Sequence, residues 1–429
     1  MRIIWAIVTG ILALPALLVT LIVASRDERW ADGLVERLGQ IHPHFGKGRL
    51  LVQAASVGEV ATVAPLIDAL NAELGPGALV LSTMTPTGNA EAKRRWPLVQ
   101  TYYFPADAGP IPRMWLDRAH CDRVILFETE IWPLFLMTCF ARGIHVAIVN
   151  GRISDKSWPR YRLAAPLLRP MLRRLAMVTC QTEAYRDRWL KLGVAPSACH
   201  VVGNLKLDRP LPESEPADVD RVLEEFAAGR RLVVFASTHE GEEAGVFVCL
   251  DEARREDLNV AFVVAPRHKE RFDAVAALLG GHEKYITKRR SAWRSGDIAD
   301  ILLLDTHGEL PRAFAHAQAA FVGGSLAKVG GHNVAEPAAM GVPVIVGPHT
   351  QNFRAEVELL SKAEALKIAT DINGVSACIR LWLLDEPLRQ QAGQSGKEAV
   401  AANRGALGRT LDLLAEHGFL QSRFEPRSP

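Results

Sequence analysis

In residues 50–70, LLVQAASVGEVATVAPLIDAL, a buried strand gives way to a helix within a few residues. Leu51, Val52 and the Ala54–Ala55 pair read as an apolar strand. Val60, Val63, Ile67 and Leu70 then recur at helical spacing. Glu59 falls in the first turn of that helix, where backbone N–H groups lack partners and the dipole favours an anion. One reading makes it a helix-terminal charge and no more. The other makes it a carboxylate in the crevice above the strand ends of an α/β sheet, where such folds hold ligands. Its position predicts a low pKa and a weak base, unless burial offsets the helix terminus.

The same alternation continues outward. ALVLSTM, RVILFE, HVAIVN and MVTCQT follow as short apolar runs separated by helical patterns, then HVVGN. After LDRPLPESEPADVD (207–220), which reads as a linker, it restarts with RLVVFAST, NVAFVVAP, DILLLDT, AAFVGGS, VPVIVGP and ALKIAT. This is the pattern of parallel sheets covered on both faces. The chain of 429 residues therefore reads as two doubly wound Rossmann-like domains with a cleft between them, spanning 26–210 and 211–429. The second carries the C-terminal helices. Residues 1–25 carry no charge between Arg2 and Arg26. They are long enough for a transmembrane helix, which takes about 20 residues. The run exceeds the usual apolar core of a cleaved signal peptide. Arg26, Arg29 and Arg37 follow it, which predicts a cytoplasmic main body.

Composition narrows the function. With 50 basic and 48 acidic residues the net charge is +2, which argues against general nucleic-acid binding. Cys121, Cys139, Cys180, Cys199, Cys249 and Cys378 are scattered without a C-x-x-C pair, as expected of reduced thiols without a zinc site. No G-x-x-x-x-G-K-[ST] or dinucleotide G-x-G-x-x-G is present, so ATP hydrolysis and NAD chemistry lose support.

Strand-end loops carry the candidate chemistry. AFVGGSLAKVGGHNVAEPAAMGVPVIVGPHTQNF (320–353) leads from a strand through glycines into a helix starting near His332–Asn333, a natural phosphate site. Glu336 would face the same mouth and suit hydroxyl groups. VVAPRHKERF (263–272) ends a strand at Pro266 and presents Arg267, which could pair with a phosphate. LLLDTHGELPRAF (302–314) and FASTHEGEEAGVF (235–247) repeat the arrangement. In the first domain, LFETEIWPLF (126–135) places Glu128 and Glu130 after a strand, aimed to one side if the chain stays extended. VGNLKLD (202–208) places Lys206 near the domain junction, and LSTMTPTG (81–88) offers Thr85 or Thr87 as a helix cap. KSWPRYRLAAPLLRPMLRRLAM (156–177) reads either as a membrane-surface segment or as a basic helix packed on the sheet.

Taken together, AASVGEV, TMTPTG, ETEIWP, NGRISDKS, GNLKLD, APRHKER and the 320–353 block resemble the 3-deoxy-D-manno-octulosonic acid (Kdo) transferases of lipopolysaccharide synthesis. The resemblance implies a GT-B glycosyltransferase that uses CMP-Kdo as donor and a lipid A precursor as acceptor at the inner membrane, with no metal or other cofactor. It assigns Glu59 as general base, and Glu128 and Lys206 to transition-state stabilisation. It assigns donor contacts to Pro266 and Arg267, to His307, Gly308, Glu309 and Leu310, and to Asn333, Val334, Ala335 and Glu336. Gln53, Leu134 and the Val334–Ala335 pair depart from the family pattern, which bears on the acceptor. A nucleotide-sugar epimerase of the same fold and a non-catalytic, membrane-tethered nucleotide binder are the alternatives.

Overall fold

The structure is a computed structural model that describes residues 33–42, 49–208 and 217–420. The expected transmembrane segment, the middle of the linker and the last nine residues lie outside the described residues. Among the described residues no helix is long and apolar enough to cross a membrane. The chain divides into two units, one running to Arg209 and resuming at Arg404, the other Pro210–Asn403.

The first unit holds a seven-stranded sheet in the order β3-β2-β1-β4-β5-β6-β7. Its strands are β1 (Arg49–Gln53), β2 (Leu79–Thr83), β3 (Gln100–Tyr103), β4 (Cys121–Phe127), β5 (His145–Gly151), β6 (Met177–Cys180) and β7 (Cys199–Val201). Every pairing is parallel, with Leu51 opposite Val80 on one side and Val124 on the other. Alternate residues enter two separate cores. Leu51, Val80, Val124 and Val146 join Trp115, Phe135 and Trp189 on one face. Leu50, Val52, Leu81 and Phe127 join Val63 and Leu70 on the other. Both faces are therefore covered, which is why these strands read as unbroken apolar runs. The order reverses between β1 and β4, so the crevice for a ligand opens at their carboxyl ends.

The second unit repeats the plan as β10-β11-β9-β8-β12-β13-β14. Here β8 is Arg231–Thr238, β9 Val260–Pro266, β10 Thr287–Arg289, β11 Ile301–Leu303, β12 Ala317–Val322, β13 Val344–Val346 and β14 Leu366–Ile368. All are parallel. Val233, Phe235 and Phe321 pack on one face with Trp382. Leu232, Val234 and Ala320 pack on the other with Phe226 and Phe314. The reversal lies between β8 and β12.

The expectation that all residues after 211 belong to the second domain is corrected at the C-terminus. The helix Ala406–Glu416 belongs to the first unit. Ala406, Leu414 and Phe419 bury themselves in the same core as Leu50 and Val63. The carboxylate of Asp208 accepts the backbone N–H groups of Gly405 (2.7 Å) and Leu407, and so caps that helix. Arg409 fastens the helix to the carbonyl of Val202 at 2.7 Å. The basic segment forms a helix, Trp158–Leu172, that buries Ala165, Leu168 and Met171 while its arginines stay exposed.

Candidate active site

In the first unit, the turn after β1 builds a capping box. Ser56 caps the helix Val57–Leu74 by accepting the Glu59 N–H at 3.4 Å. The Glu59 carboxylate returns to accept the Ala55 N–H at 2.8 Å and the Ser56 hydroxyl at 3.3 Å. Local sequence thus holds the side chain over the end of β1. Despite these donors, the Glu59 carboxyl is pushed up to about 7. Burial is the largest cause, and the carboxylates of Glu128 and Glu130 add to it. The low pKa expected from a helix terminus is overruled by desolvation and like charge.

Glu128 does not sit on an extended chain. Its φ of 61° is left-handed, and its N–H reaches the carbonyl of Val149 at 2.9 Å. A non-glycine residue in that conformation stores about 1–3 kcal/mol of strain, a feature that clusters at functional sites. Asn150 (φ 60°) at the end of β5 and Ser237 (φ 52°) at the end of β8 share it. The sharp turn, rather than strand alternation, brings Glu128 towards Glu59. Glu130 accepts the Trp132 indole N–H at 2.6 Å and the Gln53 amide at 3.2 Å, and burial raises its pKa. Asp107 receives the N–H groups of Leu134 (3.1 Å) and Phe135 (2.7 Å), fixing the helix Pro133–Ala141 that follows. Burial lifts the Asp107 carboxyl to about 6.

Lys206 lies on the 3-10 turn Leu205–Asp208. Asn150 accepts the Leu205 N–H at 3.1 Å, and Leu205 enters the core shared with the Glu59 helix. Thr85, of the two candidate caps, accepts the Gly88 N–H at 3.1 Å.

In the second unit the loops after β8, β9, β11 and β12 meet the same sheet edge. The Arg267 N–H bonds the Thr238 carbonyl at 3.1 Å, directly beyond the buried Pro266. His239 and His332 face each other through their Nε2 atoms at 2.8 Å, with rings nearly parallel. His268 lies edge-on to His239, with ring centroids 5.4 Å apart. Burial, aided by His239, Arg267 and His268, lowers the His332 pKa to about 4, so its ring is neutral at physiological pH. His307 lies beside the Phe272 ring, and Gly308 makes the turn with φ 81°. The carboxylate of Glu309 is already engaged by Arg290 (3.0 Å) and the Thr306 hydroxyl, while the His307 side chain is exposed. Leu310 starts the helix Leu310–Ala315. Asn333, one residue ahead of the N-cap Val334, accepts the Ala335 N–H at 3.1 Å. Val334 and Ala335 are buried, Glu336 is half-buried, and the helix runs Ala335–Ala339, beginning later than its sequence suggests.

The glycine turn directly after β12, ahead of the helix start at Asn333, is occupied from within. The N–H groups of Gly324, Ser325, Leu326 and Ala327 all donate to the carboxylate of Glu242, at 2.8–3.2 Å. Sequence reading quoted His239, Glu242 and His332 within their loops but gave none of them a role. Their signal is position, since each follows one of the strands that flank the reversal.

Known proteins agree with this architecture. Residues 32–209 match the family model described as 3-deoxy-D-manno-octulosonic-acid transferase. The Kdo transferase of Haemophilus influenzae is 30% identical over 400 residues, covering 92% of this chain and 93% of its own. That of Bordetella pertussis is 35% identical over 404 residues, covering 91% and 92%. The crystal structure of UDP-GlcNAc 2-epimerase from Neisseria meningitidis bound to UDP-GlcNAc aligns with TM-score 0.56 over 86% of this chain and 100% of its own. At 10% identity that likeness speaks for the fold alone, two parallel α/β domains of GT-B type. The likeness to the transferases extends along nearly the whole sequence of both relatives, and the chain belongs to the Kdo transferase family of glycosyltransferases.

Proposed function

We propose that the protein transfers Kdo from CMP-Kdo to a lipid A precursor (lipid IVA), with inversion and release of CMP, in lipopolysaccharide core synthesis. The observation that carries this reading is Glu59, a half-buried carboxylate with its pKa raised to about 7 at the reversal point of the first sheet. A base is most effective when its pKa lies near the working pH. Glu59 takes the proton from an acceptor hydroxyl. The hydroxyl oxygen attacks the anomeric carbon of Kdo, and the bond from that carbon to the phosphate oxygen breaks. The electron pair leaves with CMP, a phosphate monoester.

Glu128 and Lys206 serve the transition state, as the family resemblance implies. In the second unit Arg267 meets the phosphate as a guanidinium, and Pro266 adds a CMP contact. His307, Gly308 and Leu310 contribute through their turn, Glu309 through its backbone, and the Asn333–Glu336 segment, with Val334 and Ala335, through a helix start. The apolar segment 1–25 favours the inner membrane, with the catalytic units in the cytoplasm. The test incubates purified protein with CMP-Kdo and a tetraacylated lipid A precursor and reads product mass. The expected product is heavier by one or more Kdo units. Turnover of nucleotide sugar without acceptor modification would favour the epimerase alternative and defeat the proposal.

A further inference from the structure

A glycine-bearing loop after the strand at a sheet's reversal point is where α/β folds receive a ligand's phosphate, on converging backbone N–H groups. In this protein those N–H groups converge on an internal anion. One Glu242 oxygen accepts from Gly324 at 2.8 Å and from His239 at 2.9 Å. The other accepts from Ser325 (3.2 Å), Leu326 (3.0 Å) and Ala327 (3.0 Å). Glu242 is 2% exposed. The backbone is shaped around it, because a Cβ on Gly323 would lie 2.6 Å from the Glu242 carboxylate. Gly324, with φ 66°, then turns the loop so that its N–H groups point inward.

A carboxylate seated among those donors removes them from use by a ligand and sets a negative charge where a second phosphate would dock. Among the cations of this edge, Lys328 directly follows the nest and Lys269 lies just beyond β9, both exposed. Arg271 is committed to Glu243, and the Nε2 atoms of His239 and His332 face each other at 2.8 Å. Arg267, exposed at the end of β9, has no side-chain ion pair among the described residues and matches one phosphate.

We infer that Glu242 is a specificity-determining positioning residue. It occupies the anion nest of the donor-binding unit and thereby selects donors that join nucleoside to sugar through one phosphate over those carrying a diphosphate. The inference rests on the donor reading above and adds the residue that enforces it.

Two measurements test it. Calorimetric titration of the full-length protein should show CMP binding at least about tenfold tighter than CDP, and Glu242→Gln should narrow that ratio to about threefold or less. Equal affinity in the wild type, or an unchanged ratio in Glu242→Gln, would overturn the inference. The second needs no variant. Hydrogen–deuterium exchange of the peptide spanning 322–331 should be slow without nucleotide and unchanged by CMP or CDP. Fast exchange that either nucleotide slows would show that the nest receives the phosphate, against the inference. A wild-type protein that binds no CMP would defeat the donor reading itself, whereas CMP binding without preference defeats the inference alone.

Discussion

Replacing Glu59 with glutamine should stabilise the protein while slowing its chemistry by about 10²–10⁴. The ordinary carboxyl value of 4.5 rises to about 7 in the folded state. Between these values the folded chain holds a proton that the unfolded chain has released. The associated stability is fully present below about 4.5 and is lost as pH rises through about 7. At 1.36 kcal/mol per pH unit, the ionised carboxylate therefore costs the fold about 3 kcal/mol at pH 8 and under about 1 kcal/mol at pH 5. Glu59→Gln removes that charge but keeps one carbonyl oxygen for the Ala55 N–H. It loses the acceptor for the Ser56 hydroxyl, a penalty of about 1 kcal/mol. The net gain is about 2 kcal/mol at pH 8. For a unit of this size that corresponds to a rise of roughly 4–8 °C in melting temperature, with little change or a small fall at pH 5. Scanning calorimetry of both proteins at the two pH values reads the difference. A variant that melts lower at pH 8, or shifts equally at both, would refute the assignment of burial and like charge as the cause.

Three further outcomes follow from other residues. Glu128→Gly should be more stable than Glu128→Ala by about 1 kcal/mol in denaturant titration, because glycine relieves the left-handed strain that alanine keeps, while both lose transfer activity. Asp208→Ala should cost about 1–2 kcal/mol and raise hydrogen exchange in the helix Ala406–Glu416, whose N-terminus it uncaps. Burial lowers the His332 pKa from 6.5 to about 4, so the folded state binds fewer protons than the unfolded one and stability falls as pH drops from 6.5 towards 4. His332→Gln should flatten that acid limb in unfolding measurements at pH 6.5 and 4.5, and an unchanged limb would place the titration elsewhere.

The central strands were legible because both faces of each sheet are buried and each strand is therefore apolar throughout. The missed strands, Gln100–Tyr103 and Thr287–Arg289, are both sheet edges. An edge needs less apolar surface, and Thr287–Arg289 is only half-buried along its length. The return of the last helix to the first unit was hidden because its cap, Asp208, lies 197 residues away from Gly405. Glu59 could be placed by its capping box, but its pKa depends on Glu128 and Glu130, which only tertiary structure brings near. Glu242 shows the reverse difficulty. Nothing local reveals that a buried carboxylate from the preceding switch strand's loop fills the turn at 324–327. The carboxylate of Glu309, to which the resemblance assigns a donor contact, is engaged by Arg290, a pairing across 19 residues that local sequence does not announce.

The pH dependence of Kdo transfer reports on Glu59 as the base. Values of kcat/KM for CMP-Kdo and a tetraacylated lipid A precursor would be measured from pH 5 to 9 for the wild type and Glu59→Gln. The wild-type rate should rise with pH through an apparent pKa near 7, and the Glu59→Gln rate should be lower by about 10²–10⁴ with that limb gone. A variant that stays within about tenfold of the wild type and keeps the same limb would contradict it, and would move the base away from Glu59.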